Sequence, residues 1–150
     1  MTSLFYEDVV LGEEFISPGR TVTEADLTMV CMLSGDWNPL HCDAEFAAQS
    51  PFGQRIVGGV YGLIYVTGAI SRWSMFADTT LGMLSIEDWS FKHPIFIGDT
   101  LKVKMVFVDK RTTSKPDRGI VQRGFEVINQ HGAVVQSGKS ALMVRRTPAA

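Results

Sequence analysis

Asp36 and His41 stand five residues apart in Leu33-Ser34-Gly35-Asp36-Trp37-Asn38-Pro39-Leu40-His41, a segment that no regular element can run through. Pro39 disfavours helical backbone at Asn38, and Gly35 lacks the steric bias toward helix, so the chain must turn there. A turn can aim a carboxylate and an imidazole at one point. Imidazole titrates near neutral pH, and beside a carboxylate it can hold one water molecule and exchange protons with it. An ordinary Asx/Pro turn with a surface histidine is the plainer account of the same residues. The elements on either side decide between the two.

Upstream, Glu14 to Val22 reads as an opening strand, and Thr23-Glu24-Ala25-Asp26 has the form of a capped helix start. The helix is predicted to run to about Ser34, with Leu27, Val30, Cys31 and Met32 on its buried face and Gly35 as its stop. Downstream, Asp43 is placed to cap a short helix ending at Ala48, and Ser50-Pro51-Phe52-Gly53 forms a loop. The fifteen residues from Ile56 to Ile70 then carry no charge and include Gly58, Gly59, Gly62 and Gly68. A bilayer span needs roughly 20 apolar residues, so this stretch, closed by Arg55 and Arg72, predicts a helix buried inside a soluble fold. Each glycine costs such a helix about 0.5–1 kcal/mol relative to alanine. That cost implies a close approach by strands or by a ligand.

After Phe76 the pattern becomes strand-like, with runs at Leu81–His93, Thr100–Lys110, Gly119–Ile128 and Val134–Arg145. Pro94 and Gly98-Asp99 separate the first two runs, and Asn129-Gln130-His131-Gly132 is a hairpin turn. One strand, two or three helices and a four-strand meander predict an α+β fold, an antiparallel sheet wrapped around one long apolar helix. A length of 150 residues fits one domain over residues 1–150.

Composition narrows the function classes. The net charge is −2, which gives no bulk attraction to nucleic acid. Lys110, Arg111, Lys115, Arg118, Arg145 and Arg146 read as solvated strand ends, with a phosphorylated small molecule as the alternative. Cys31 and Cys42 lie in no metal-ligand spacing and imply no disulfide framework, so neither a metal nor an oxidising compartment is expected. Met1 to Asp8 lacks both the basic leader and the apolar run of a signal peptide, and a cytoplasmic, membrane-free location is the expectation.

Three motifs taken together resemble the MaoC-like dehydratase, or (R)-specific enoyl-CoA hydratase, family of the hotdog fold. Ser34, Gly35, Asp36, Asn38, Pro39, Leu40, His41 and Ala47 follow that family's G-D-x-N-P-x-H signature. Phe52 and Ile56-Val57-Gly58-Gly59 match its helix opening. Phe91-Lys92-His93-Pro94-Ile95-Phe96-Ile97-Gly98-Asp99-Thr100-Leu101 looks like its F-x-x-P-V-x-x-G-D-x-L connection. The chain departs at Gly58, where many relatives carry a histidine.

The resemblance implies reversible syn addition of water to a trans-2-enoyl thioester, giving an (R)-3-hydroxyacyl thioester. That reaction needs a base for the water, a proton at C2, and stabilisation of the enolate-like charge on the thioester oxygen. His41 is assigned to the water and Asp36 to C2, with the reverse division as the alternative. The backbone N–H of Gly59 is the candidate oxyanion donor, and a tight contact between helix and sheet is its plainer role. Asn38 fixes the turn or orients His41. Thr67 bonds either to the water or Asp36, or back to its own helix. Trp37, Tyr61, Tyr65, Trp73, Met75, Phe76 and Trp89 are expected to be core, with an acyl tunnel as the alternative. No metal or redox cofactor is implied. The substrate carrier is coenzyme A or an acyl-carrier protein, and a homodimer or dimer-based assembly is expected. A non-catalytic acyl-thioester-binding subunit and a hotdog thioesterase are the competing readings.

Overall fold

The computed structural model describes residues 3–148. A 3-10 turn at Tyr6–Asp8 leads into strands β1 (Glu14–Ile16) and β2 (Arg20–Thr21), then helices α1 (Glu24–Ser34), α2 (Pro39–Cys42), α3 (Ala44–Ala48) and α4 (Val60–Trp73). Strands β3 (Thr80–Phe91), β4 (Thr100–Thr112), β5 (Arg118–Ile128) and β6 (Val134–Arg145) complete the chain. All pairings are antiparallel, in the order β1-β4-β5-β6-β3, with β2 also on β4.

Two strand expectations are corrected. The opening strand breaks at Ser17-Pro18-Gly19, because proline has no N–H for a ladder and the Ser17 hydroxyl there accepts from the Val103 N–H (2.8 Å). The last four strands are also not a simple meander, since β3 pairs with β6 at the far edge and never with β4. The connection over residues 92–99 carries the chain back across the mouth of α4. There Val57 N–H donates to Ile95 O (2.9 Å) and Ile56 bridges Phe96.

Helix ends follow their capping chemistry. Thr23 Oγ1 accepts from Asp26 N–H while Asp26 Oδ2 accepts from Thr23 N–H (2.8 Å), and Gly35 stops α1 in the left-handed region (φ 74°) with its N–H on Cys31 O. Leu27, Val30 and Cys31 are buried as expected, but Met32 faces outward, as do Met29 and Leu33. Asp43 caps α3 through Phe46 N–H.

The Gly98-Asp99 pair proves structural. Asp99 is buried, with Oδ2 accepting from Phe96 N–H (2.8 Å) and Oδ1 from Gln130 Nε2 (2.9 Å), while Gly98 supplies the positive φ of the turn (94°).

Helix α4 lays Tyr61, Gly62, Val66 and Ala69 on a core that includes Met105, Phe107, Phe125 and Val127. It begins four residues later than the uncharged stretch and runs on through Trp73. Its opposite face is open in this chain, with Val60 and Ile64 each 48% exposed, so the sheet covers only one side of the helix. Among the described residues no helix is long and apolar enough to cross a membrane.

Candidate active site

The turn after α1 is held by its own short polar side chains. Ser34 Oγ accepts from Asp36 N–H (3.1 Å), Asp36 Oδ1 from Asn38 N–H (3.2 Å), and Asn38 Oδ1 from Leu40 N–H (3.0 Å). Asn38 thereby caps α2, with Pro39 in the first helical position, where its missing N–H costs nothing. The second oxygen of Asp36 is left free to face His41.

His41 is almost fully buried and its ring is fixed. Its Nδ1 lies 2.7 Å from Ile56 O, and because a carbonyl only accepts, Nδ1 carries the proton. When the ring is neutral its lone pair therefore sits at Nε2, which stands 3.6 Å from Asp36 Oδ2. Two acceptors at that separation make no bond to each other. A molecule with protons to give to both, such as water, satisfies them together. Asp36 has a mostly exposed side chain, so the buried imidazole meets solvent through the carboxylate.

The start of α4 adjoins this pair. A Cβ on Gly58 would stand 3.9 Å from His41 Nε2 and 3.3 Å from Val30 Cγ1, so glycine at 58 keeps bulk away from the reactive nitrogen. Gly59 already has helical angles (φ −54°, ψ −35°). Tyr61 N–H donates to Gly58 O (2.9 Å), whereas the Gly59 N–H has no acceptor among the described residues. A free amide at a helix start is suited to a negative oxygen. Beside it opens a cavity of roughly 290 Å³ walled by Phe91, His93 and Gln136.

Gln136, which the sequence reading missed, anchors this corner. It is buried, donates from Nε2 to Gly59 O (2.9 Å) and accepts from Trp89 Nε1 (3.0 Å) on Oε1. Its side chain fills the space where a Cβ of Gly62 would be. A Gly62→Ala substitution therefore displaces Gln136 and orphans buried polar groups. It should cost about 2–4 kcal/mol of stability, combining overpacking with lost hydrogen bonds, as read from denaturant midpoints. An unchanged midpoint would show that Gln136 does not hold the helix start. The signal available in sequence was a lone amide on the inward face of an apolar strand.

Other candidates fall elsewhere. Thr67 Oγ1 donates to Ile64 O (2.7 Å), the helix-internal alternative, and Thr67 lines a different cavity from the one beside Gly59. Trp37 is half exposed, while Tyr61 and Phe76 are buried and Tyr65, Trp73, Met75 and Trp89 pack against the core. Burial, reinforced by the Asp36 charge, raises the Cys31 thiol above its ordinary range, which leaves it unreactive. Among the described residues there is no cluster of three or more His, Cys, Asp or Glu able to hold a metal ion.

Known structures share this architecture. The chain superposes on a Mycobacterium tuberculosis protein described as a double hotdog fold with TM-score 0.80 at 20% identity, covering 99% of this chain and 46% of that one. It superposes on a monoamine oxidase regulatory protein from Archaeoglobus fulgius with TM-score 0.92 at 31% identity, covering 97% of each chain. The fold is thus a hotdog, with α4 packed on the antiparallel sheet. The profile of the MaoC like domain matches residues 8–128, and the chain belongs to that family. Protein MaoC of Klebsiella aerogenes is 32% identical over 118 residues, which cover 76% of this chain and 33% of that protein. The (R)-specific enoyl-CoA hydratase of Aeromonas caviae is 27% identical over 123 residues, covering 79% of this chain and 83% of that one. The chain thus spans about a third of the first relative's length and most of the second's.

Proposed function

We propose that this chain is an (R)-specific enoyl-thioester hydratase/dehydratase that adds water reversibly to a trans-2-enoyl-CoA to give an (R)-3-hydroxyacyl-CoA. The carrying observation is the His41 Nε2 lone pair facing Asp36 Oδ2 across 3.6 Å, next to the Gly58-Gly59 peptide. Water between the two gives one proton to Nε2 as its oxygen bonds to C3. The imidazolium passes that proton to Asp36, which delivers it to C2 on the same face, so both groups return to their starting state and the net change is one added water with syn stereochemistry. The Gly59 N–H receives the thioester oxygen as the C2–C3 electrons shift toward it. The thioester arm enters through the cavity beside Gly59. This chemistry uses no metal or redox cofactor, and an acyl-carrier-protein thioester is the alternative to the CoA thioester as substrate.

The proposed working unit is a homodimer. β3 is a sheet edge with Leu81, Met83, Leu84 and Ile86 partly exposed, and the open face of α4 lies uncovered as well. Light scattering on the purified chain should give twice the monomer mass; a monomer at micromolar concentration would remove this element.

Incubation with crotonyl-CoA tests the reaction. Loss of the enoyl absorbance with formation of (R)-3-hydroxybutyryl-CoA is expected. Release of free thiol would identify a thioesterase instead, and binding without turnover a non-catalytic acyl-binding subunit.

A further inference from the structure

Arg123 is a buried cation without a counter-charge among the described residues. It lies on β5 at an inward position between Val121 and Phe125, and is 4% exposed. Its Nη2 donates to Ser140 Oγ (3.1 Å), its guanidinium lies 5.4 Å from the Phe125 ring centroid, and its Nε has no partner among the described residues. No described carboxylate lies within ion-pairing distance. Burial alone pushes the guanidinium down to about 10, so it remains charged at neutral pH. A buried charge without its partner is strongly destabilising, and an apolar residue of similar volume would serve a core better. The arginine therefore calls for an anion from outside the described residues.

The place for that anion is open. Arg123 lines a cavity of about 270 Å³ together with Thr67, Ile70, Ser71, Ser74 and Leu142. Thr67 and Ile70 follow Gly59 and Leu63 along one face of α4, at helical spacings of four, four and three residues. The helix face that starts at the candidate oxyanion donor thus leads to the charged cavity. Thr67 lies about 12 Å from Gly59 by helical rise, and the arginine's own length shortens that gap. A tail of roughly five to ten bonds spans it.

We propose that Arg123 binds a carboxylate at the far end of the acyl chain, so that the enzyme prefers enoyl thioesters of dicarboxylic acids over those ending in a methyl group. This rests on the hydratase reading for its reaction, but not for its binding. The bidentate guanidinium fork suits a carboxylate, and hydrogen bonds to charged groups are worth about 10- to 100-fold in binding.

Trans-2-enoyl-CoA substrates of about six to ten carbons, each with and without a terminal carboxylate, test the assignment through the ratio of kcat/KM within each pair. The wild-type ratio should exceed about 10 at the matching length. Arg123→Met should lower it about 10- to 100-fold, and Arg123→Lys should keep part of it, since lysine preserves the charge without the fork. A wild-type ratio at or below one for every length would overturn the proposal. So would a ratio unchanged in Arg123→Met with a weakened dimer by light scattering, since that would identify a partner subunit's carboxylate as the counter-charge. Should Arg123→Met fail to fold, Arg123→Lys and the wild type still decide. Calorimetry of suberyl-CoA against octanoyl-CoA separates the two readings. If neither enoyl series is hydrated, the hydratase reading falls, while at least tenfold tighter wild-type binding of suberyl-CoA supports the Arg123 assignment and equal binding overturns it.

Discussion

Asp36→Asn should lower the proposed crotonyl-CoA hydration by about 10²- to 10⁴-fold, and His41→Ala by a similar factor, each measured as kcat. In the proposed mechanism the two groups share one task across the 3.6 Å gap, so removing either leaves the other facing a water that can no longer pass its proton on. Their losses should not multiply, and the double variant should be about as slow as the worse single one. Asp36→Asn is the cleaner substitution. Asp36 Oδ1 accepts from Asn38 N–H, and an asparagine oxygen can accept there too, so the turn survives while the free position loses its charge and its proton exchange. His41→Ala removes in addition the bond to Ile56 O and empties a buried site, so its melting temperature should fall while that of Asp36→Asn holds. An Asp36→Asn enzyme retaining more than about a tenth of its rate would sink the shared-water mechanism.

How far the site was legible depends on which forces are local. The Thr23 to Asp26 box, the Gly35 stop and the Asn38 and Asp43 caps are satisfied within four residues of themselves, so their chemistry is written along the chain. The Asp36 and His41 turn belongs to this class. Gln136 and Arg123 do not, because their partners lie 77 and 17 residues away and only strand register brings them together. Arg123 still left a trace, as the one charge on the inward face that runs Val121, Arg123, Phe125, Val127. The placement of β3 was hidden for a similar reason. Its turn residues announce where the strand ends, whereas its pairing with β6 follows from the 92–99 connection docking on Ile56 and Val57, a long-range contact. The packing of α4 on the sheet was legible, but the exposure of Val60 and Ile64 was not, because an uncharged helix looks equally buried whether sheet or another surface covers its second side.

Gly59→Pro should reduce kcat by about 10²- to 10³-fold, the loss expected when a preorganised oxyanion donor is removed. A backbone N–H is rarely open to substitution, but this one is. The φ of −54° at Gly59 lies within the range proline imposes, and the N–H that proline deletes serves no other acceptor among the described residues. Gly58, just before it, has the conformational freedom to accommodate the restriction that proline places on its neighbour. Both Gly59→Pro and Gly59→Ala place a Cβ about where the alanine atom would meet Phe91, 3.1 Å from Cε1, and that ring is 61% exposed and able to turn aside. Gly59→Ala keeps the amide, so it reports the steric part alone and should lose much less than Gly59→Pro. Equal losses in the two variants would mean that glycine is needed at 59 for the close approach of Phe91, with the charge on the thioester oxygen stabilised by some other group.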